Sequence, residues 1–108
     1  VELVLGAMNV RDFILAVVSG DDVTRGKPDP EVFTLAAARL RVPPTRCVVI
    51  EDAPVGVEAA HAAGARAVAV LIYHPAGAFA RVDFVVPRLG DLSAKQVLAL
   101  LAGVENEP

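Results

Sequence analysis

Apolar positions along the chain switch between two periods, and the switching predicts an ordered series of elements. In VELVLGAMNV the residues Val1, Val4, Leu5 and Met8 recur at helical spacing, which predicts a helix ending near Asn9. ILAVVSG is a short apolar run closed by Ser19, Gly20, Asp21 and Asp22, and reads as a buried strand with its loop. Asp29 then offers a side-chain acceptor at a helix N-cap, Pro30 suits the first helical position, and Glu31 suits the first turn. This helix runs through VFTLAAARL and stops before Pro43-Pro44, because the residue before a proline disfavours helical backbone. CVVI is apolar throughout, as in a strand covered on both faces. PVGVEAAHAAG predicts a second helix ended by Gly64. RAVAVLI predicts a third strand, DFVVP a short fourth, and LSAKQVLALLAG a last helix with Leu92, Val97, Leu98 and Leu101 on one side. The tail ENEP is expected to fray. Strands alternating with helices imply an α/β fold with a parallel sheet and helices on its faces. Residues 1–108 read as one domain.

Composition narrows the function classes. The chain is 55% hydrophobic, enough for a packed core, and carries a net charge of -3. Its basic residues are scattered, which argues against a nucleic-acid partner. Cys47 is the single cysteine, so an internal disulfide and a cysteine-rich metal site are both excluded. A reducing, cytoplasmic location is expected. The longest apolar stretch, near Ala67 to Tyr73, falls short of the about 20 residues that span a bilayer. No charged-then-apolar leader opens the chain, which reads from Val1 as the middle of something longer.

In an open parallel sheet, ligands bind beyond the carboxyl ends of the strands. Glu51 and Asp52 follow CVVI directly. Adjacent carboxylates repel unless partnered, and a hard divalent cation such as Mg²⁺ removes that conflict. Helix capping would account for one of the two acids but not both. Lys27, between the first strand and the helix that starts at Asp29-Pro30, is a compact cation suited to a phosphate or carboxylate. Alone it would read as an exposed loop lysine; beside Glu51 and Asp52 at matching strand ends it reads as a site residue. The remaining candidates are weaker. Asp21 and Asp22 read as turn residues, His61 as surface or packing, and Cys47 as a small apolar filler. His74 has no evident partner. Ser19 has no histidine at a recognisable triad spacing.

GKPDPEVF followed by VVIEDAPVGVEAAHAAGARAVAV resembles the haloacid dehalogenase-like (HAD) superfamily of hydrolases, in its β-phosphoglucomutase-like phosphatase branch. The resemblance runs from about Val1 to Val70, and the rest fits the family's last strand and helix. It implies a Rossmann-like, three-layer α/β/α core. It further implies catalysis through a phospho-aspartate formed on the first Asp of an Asp-x-Asp motif, whose second Asp is the general acid and base. Lys27 would be the lysine that steadies the nucleophile and the transferring phosphoryl. Glu51 and Asp52 would hold Mg²⁺, and the substrate would be a small phosphorylated metabolite.

The chain departs from that pattern in several respects. No Asp is followed by Asp two positions on, so it carries no Asp-x-Asp nucleophile. The Ser or Thr of the family's second motif and the cap domain are absent as well. The family's sheet order, 3-2-1-4-5, makes ILAVVSG strand 3 and CVVI strand 4, with the first two core strands missing between them. ILAVVSG is therefore expected to lack a neighbour. Self-association, an N-terminal segment or a rearrangement could supply one, and an incomplete portion of a longer enzyme is the preferred reading. The unit from VVIED to RAVAV should form regardless, with a right-handed crossover. Two functions remain. One is the C-terminal part of a Mg²⁺-dependent phosphatase or phosphomutase, inactive by itself. The other is a non-catalytic remnant serving binding or assembly. A bare α/β domain with capped helices leaves GKPDP and the Glu51-Asp52 pair unexplained.

Overall fold

A computed structural model describes residues 2–9, 12–18 and 24–105. In chain order they form β1 (Glu2–Asn9), β2 (Asp12–Val18), α1 (Glu31–Leu40), β3 (Cys47–Glu51), α2 (Pro54–Ala63), β4 (Arg66–Val70), β5 (Phe84–Val86) and α3 (Ala94–Glu105). The strands make one sheet in the order β2-β1-β3-β4-β5. β3, β4 and β5 run parallel, whereas β1 is antiparallel to both β2 and β3.

Strand alternation builds three layers around this sheet. Cys47 and Val49 of β3 and Ala67 and Ala69 of β4 face one core with α1 and α2. Val48 and Ile50 with Val68 and Val70 face a second core with Val97 and Leu101 of α3. Both faces are covered, which is why β3 has no exposed position along its length. The first core is small-residue rich: Ala36, Ala37, Ala59, Ala60, Ala67 and Ala69 let both helices lie close on the sheet. The three parallel strands between helical layers are the expected Rossmann-like α/β/α core in part.

The helix expected over VELVLGAMNV is corrected: its described residues, Glu2–Asn9, are β1. A short apolar run satisfies helix and buried-strand templates alike, and periodicity does not separate them. Tertiary context decides here. The edge of β3 presents backbone donors and acceptors that need partners. β1 supplies them, with Val4 opposite Val49 and fully buried. β1 also pairs with β2 through Leu5 opposite Leu15, so ILAVV does have a neighbour, contrary to expectation. The parallel arrangement expected of the whole sheet therefore stops at β3. Ser19, Asp21 and Asp22 lie outside the described residues, as do Val1 and residues 106–108 of the tail.

The helix ends follow their local chemistry. Asp29 Oδ1 accepts the Glu31 N–H at 2.9 Å, and Pro30 already has helical backbone, so Asp29 caps α1 as anticipated. α1 closes with Arg41 in left-handed backbone, φ 59°, and the Val42 N–H returns to the Ala37 carbonyl. α2 closes on Gly64 at φ 94°, with the Ala65 N–H returning to Ala60. The start of β5 is pinned differently. Asp83 exchanges two bonds with Ala67, through its own N–H to the Ala67 carbonyl and from the Ala67 N–H to its Oδ2 at 2.7 Å. The same Oδ2 lies 2.9 Å from His61 Nε2, tying α2 to that junction.

Phe33 is the largest of the fully buried side chains and joins α1 to the first core. Phe33→Ala is expected to destabilise the fold by about 3–5 kcal/mol, read as a lowered midpoint in urea unfolding with an unchanged slope.

Candidate functional site

The carboxyl end of β3 is where the parity of the strand becomes chemistry. Glu51 follows Cys47 and Val49 on the face carrying α1 and α2, so its side chain enters the inter-helix side of the core rather than solvent. It is 4% exposed, and among the described residues it is the buried charged one. A carboxylate in that position requires compensation. Lys27 Nζ approaches Glu51 Oε2 at 3.3 Å, and the Asp52 N–H donates to Glu51 Oε1 at 3.2 Å. Lys27 keeps 21% of its side chain accessible, so the pair has a buried acidic end and a partly open basic end. Asp52, the next residue, is half-buried.

Lys27 reaches this point because its loop is fixed at both sides. The Asp29 N–H bonds back to the Gly26 carbonyl, and Asp29 caps α1. On the other side the Glu31 carboxylate reaches back to the Thr24 N–H at 3.0 Å, the Thr24 hydroxyl and the Arg25 N–H at 3.1 Å. The Thr24 N–H is the main reason that Glu31 titrates below the ordinary glutamate range, with the Thr24 hydroxyl, the Arg25 N–H and the Arg25 charge adding to it. The peptide bond between Lys27 and Pro28 is cis. Glu31 was legible in the sequence only as a first-turn acid; its bonds to Thr24 and Arg25 need the loop's path to be known.

Glu51 and Asp52 present hard oxygen donors, the kind that Mg²⁺ takes through one or two carboxylates plus phosphate and water. They fit that ion in kind. Among the described residues no group of three or more His, Cys, Asp or Glu stands ready to hold a metal, so the donor set is partial.

The weaker candidates fall outside this cluster. His61 bonds Asp83 and, with Glu58, Phe79 and Arg81, lines a cleft of about 330 Å³ that includes none of Lys27, Glu51 and Asp52. His74 has a partner after all, packing edge-on to Phe79 at 6.3 Å between ring centroids. Cys47 is buried, its Sγ lies 3.6 Å from the Pro43 carbonyl, and burial pushes its thiol up to about 11. Among the described residues no helix is long and apolar enough to cross a membrane.

A family model described as haloacid dehalogenase-like hydrolase matches residues 1–64. The chain is 40% identical over 92 residues to the chloroplastic 5-amino-6-(5-phospho-D-ribitylamino)uracil phosphatase of Arabidopsis thaliana, covering 85% of this chain and 25% of that protein. It is 40% identical over 88 residues to validoxylamine A 7'-phosphate phosphatase of Streptomyces hygroscopicus subsp. limoneus, covering 82% of this chain and 40% of that one. The crystal structure of β-phosphoglucomutase from Clostridium difficile superposes with a TM-score of 0.71 at 24% identity, over 83% of this chain and 39% of that one, a likeness of fold. The chain thus spans well under half the length of these relatives.

Two outcomes follow from the geometry. The Cys47 thiol is expected to react with a disulfide reagent at neutral pH only as fast as the protein unfolds, and a fast stoichiometric reaction in the folded state would contradict its burial. Because the folded-state value of Glu31 is depressed, its tie to the loop is fully present above the ordinary glutamate pKa and is lost as pH falls through the lower folded value. Amide exchange at Thr24 and Arg25, corrected for intrinsic rates, should rise across that acid window, and Glu31→Ala should show the faster exchange above the window and converge with the parent below it.

Proposed function

Because the chain belongs to the haloacid dehalogenase-like hydrolases, we propose that Lys27, Glu51 and Asp52 are the cationic and metal-binding part of a phosphoryl-transfer site. The substrate would be a small phosphorylated metabolite and the product inorganic phosphate, or an isomeric phosphate in a mutase. The observation that carries this reading is the Lys27–Glu51 contact of 3.3 Å at the carboxyl end of β3, with Asp52 next in sequence. The named phosphatases among the relatives support the substrate class.

The chemistry asked of these residues is mostly electrostatic. A transferring phosphoryl group spreads negative charge over its oxygens, and fixed positive charge lowers the barrier. The Lys27 ammonium, on a side chain that is partly accessible, is the chain's own contribution. Glu51 holds that ammonium so that it is not reoriented at the moment of reaction. Asp52, half-buried beside it, is a carboxylate for the cation. Mg²⁺, when bound by Asp52 and Glu51, would neutralise phosphoryl oxygens that Lys27 does not reach. Both α1 and α2 begin at this end of the sheet, and their N-terminal dipoles add to a field that favours anions.

The nucleophile of an Asp-x-Asp motif is not among these 108 residues. A second reading is a non-catalytic binding or assembly module, and one experiment separates the two. The chain alone is expected to release no phosphate from sugar phosphates with Mg²⁺ present. Joined to a segment that carries the Asp-x-Asp strand, it should gain Mg²⁺-dependent turnover, and Lys27→Ala should then lower kcat by about 10²–10³-fold. Turnover by the unaided chain, or a Lys27→Ala variant as fast as its parent, would refute the assignment. No turnover in any assembly would leave the binding module as the function.

A further inference from the structure

Gly56, in the first turn of α2, bears on the site without any polar group of its own. It is buried, and its backbone is ordinary right-handed helix, so no unusual conformation calls for glycine. Alanine would serve the helix better. The reason lies across the turn. A Cβ on Gly56 would fall on Cγ, Cδ and Oε2 of Glu51, inside any permitted contact. The Glu51 side chain therefore runs through the space that every other residue type would fill. That path delivers Oε2 to Lys27 Nζ and leaves Oε1 for the Asp52 N–H.

We propose that Gly56 is a positioning residue for Lys27, acting through Glu51: the missing side chain is the slot that seats the Glu51 carboxylate under the lysine. A larger residue there would turn Glu51 out of the slot, and Lys27 would lose the Glu51 carboxylate as a partner. Close approach of the strand end and the helix start is then a requirement of the charged pair, not of the helix. The consequence for phosphoryl transfer rests on the function proposed above, whereas the geometry itself does not.

The chain contains two lysines, Lys27 and Lys95, which supply an internal ratio. Lys95 is exposed at the start of α3 and serves as the reference. Brief acetylation with acetic anhydride, read by mass spectrometry, compares the parent chain, Gly56→Ala, Glu51→Ala and the double variant. In the parent the paired Lys27 should react more slowly than Lys95. Gly56→Ala should raise the Lys27:Lys95 ratio several-fold, to the value found in Glu51→Ala. Adding Gly56→Ala to Glu51→Ala should change neither that ratio nor lower the Tm, because the atoms in conflict are gone. A general weakening of the fold would lower the Tm without bringing the ratio to the Glu51→Ala value. A folded Gly56→Ala chain with the parent ratio overturns the proposal. Should Gly56→Ala fail to fold, the double variant decides: folding by the double upholds the role, and its failure to fold overturns it. No phosphate or magnesium enters the measurement, so its failure leaves the phosphoryl-transfer reading untouched.

Discussion

A carboxylate taken out of water at the end of a strand dictates what must surround it. Glu51 is buried because the parity of β3 sends it to the side where α1 and α2 lie. Desolvation of that charge is expensive, and the attraction of one partner repays it only when the geometry is good and the other oxygen is satisfied too. Both conditions are met, by Lys27 at one oxygen and the Asp52 N–H at the other. The arrangement is asymmetric in exposure. The acid is sealed in, while the lysine side chain stays partly accessible. A buried ion pair by itself is weak evidence for stability.

The surrounding structure serves that pair. Lys27 belongs to the loop before α1, and Glu51 to the strand before α2. These segments meet because α1 and α2 pack on the same face of the sheet, drawn close by alanines on both helices and on β4. The loop is then held by Asp29 and Glu31, which bond to the helix start and to the residues before Lys27. The opposite core packs Val97 and Leu101 of α3 against Val48, Ile50, Val68 and Val70.

Beyond β3 the sheet changes character. β4 and β5 continue it in parallel, as βαβ units do, whereas β1 and β2 complete the other side as an antiparallel pair. Antiparallel pairing of neighbouring segments needs only a short connection, while a parallel neighbour needs a crossover of a dozen residues or more. With β1 and β2 adjacent in the chain, the antiparallel choice is the one their connection permits. It also satisfies the edge of β3, from which the candidate site hangs.

Local chemistry alone determined most of the elements and their limits. Asp29 with Pro30 starts α1, Gly64 ends α2, and CVVI has a composition that only a doubly covered strand tolerates. Lys27, Glu51 and Asp52 stood out from their neighbours for the same reason: charge placed where a strand stops. What the chain could not declare locally was pairing. VELVLGAMNV fits a helix as well as a strand, and its state was decided by the unpaired edge of β3. The bond between His61 and Asp83, 22 positions apart, and the reach of Glu31 to Thr24 depend on where whole segments are laid down. So does the conflict between a Gly56 side chain and Glu51. Periodicity and capping act within a turn or two of the chain, whereas strand edges and buried charges are satisfied by whatever the fold brings near.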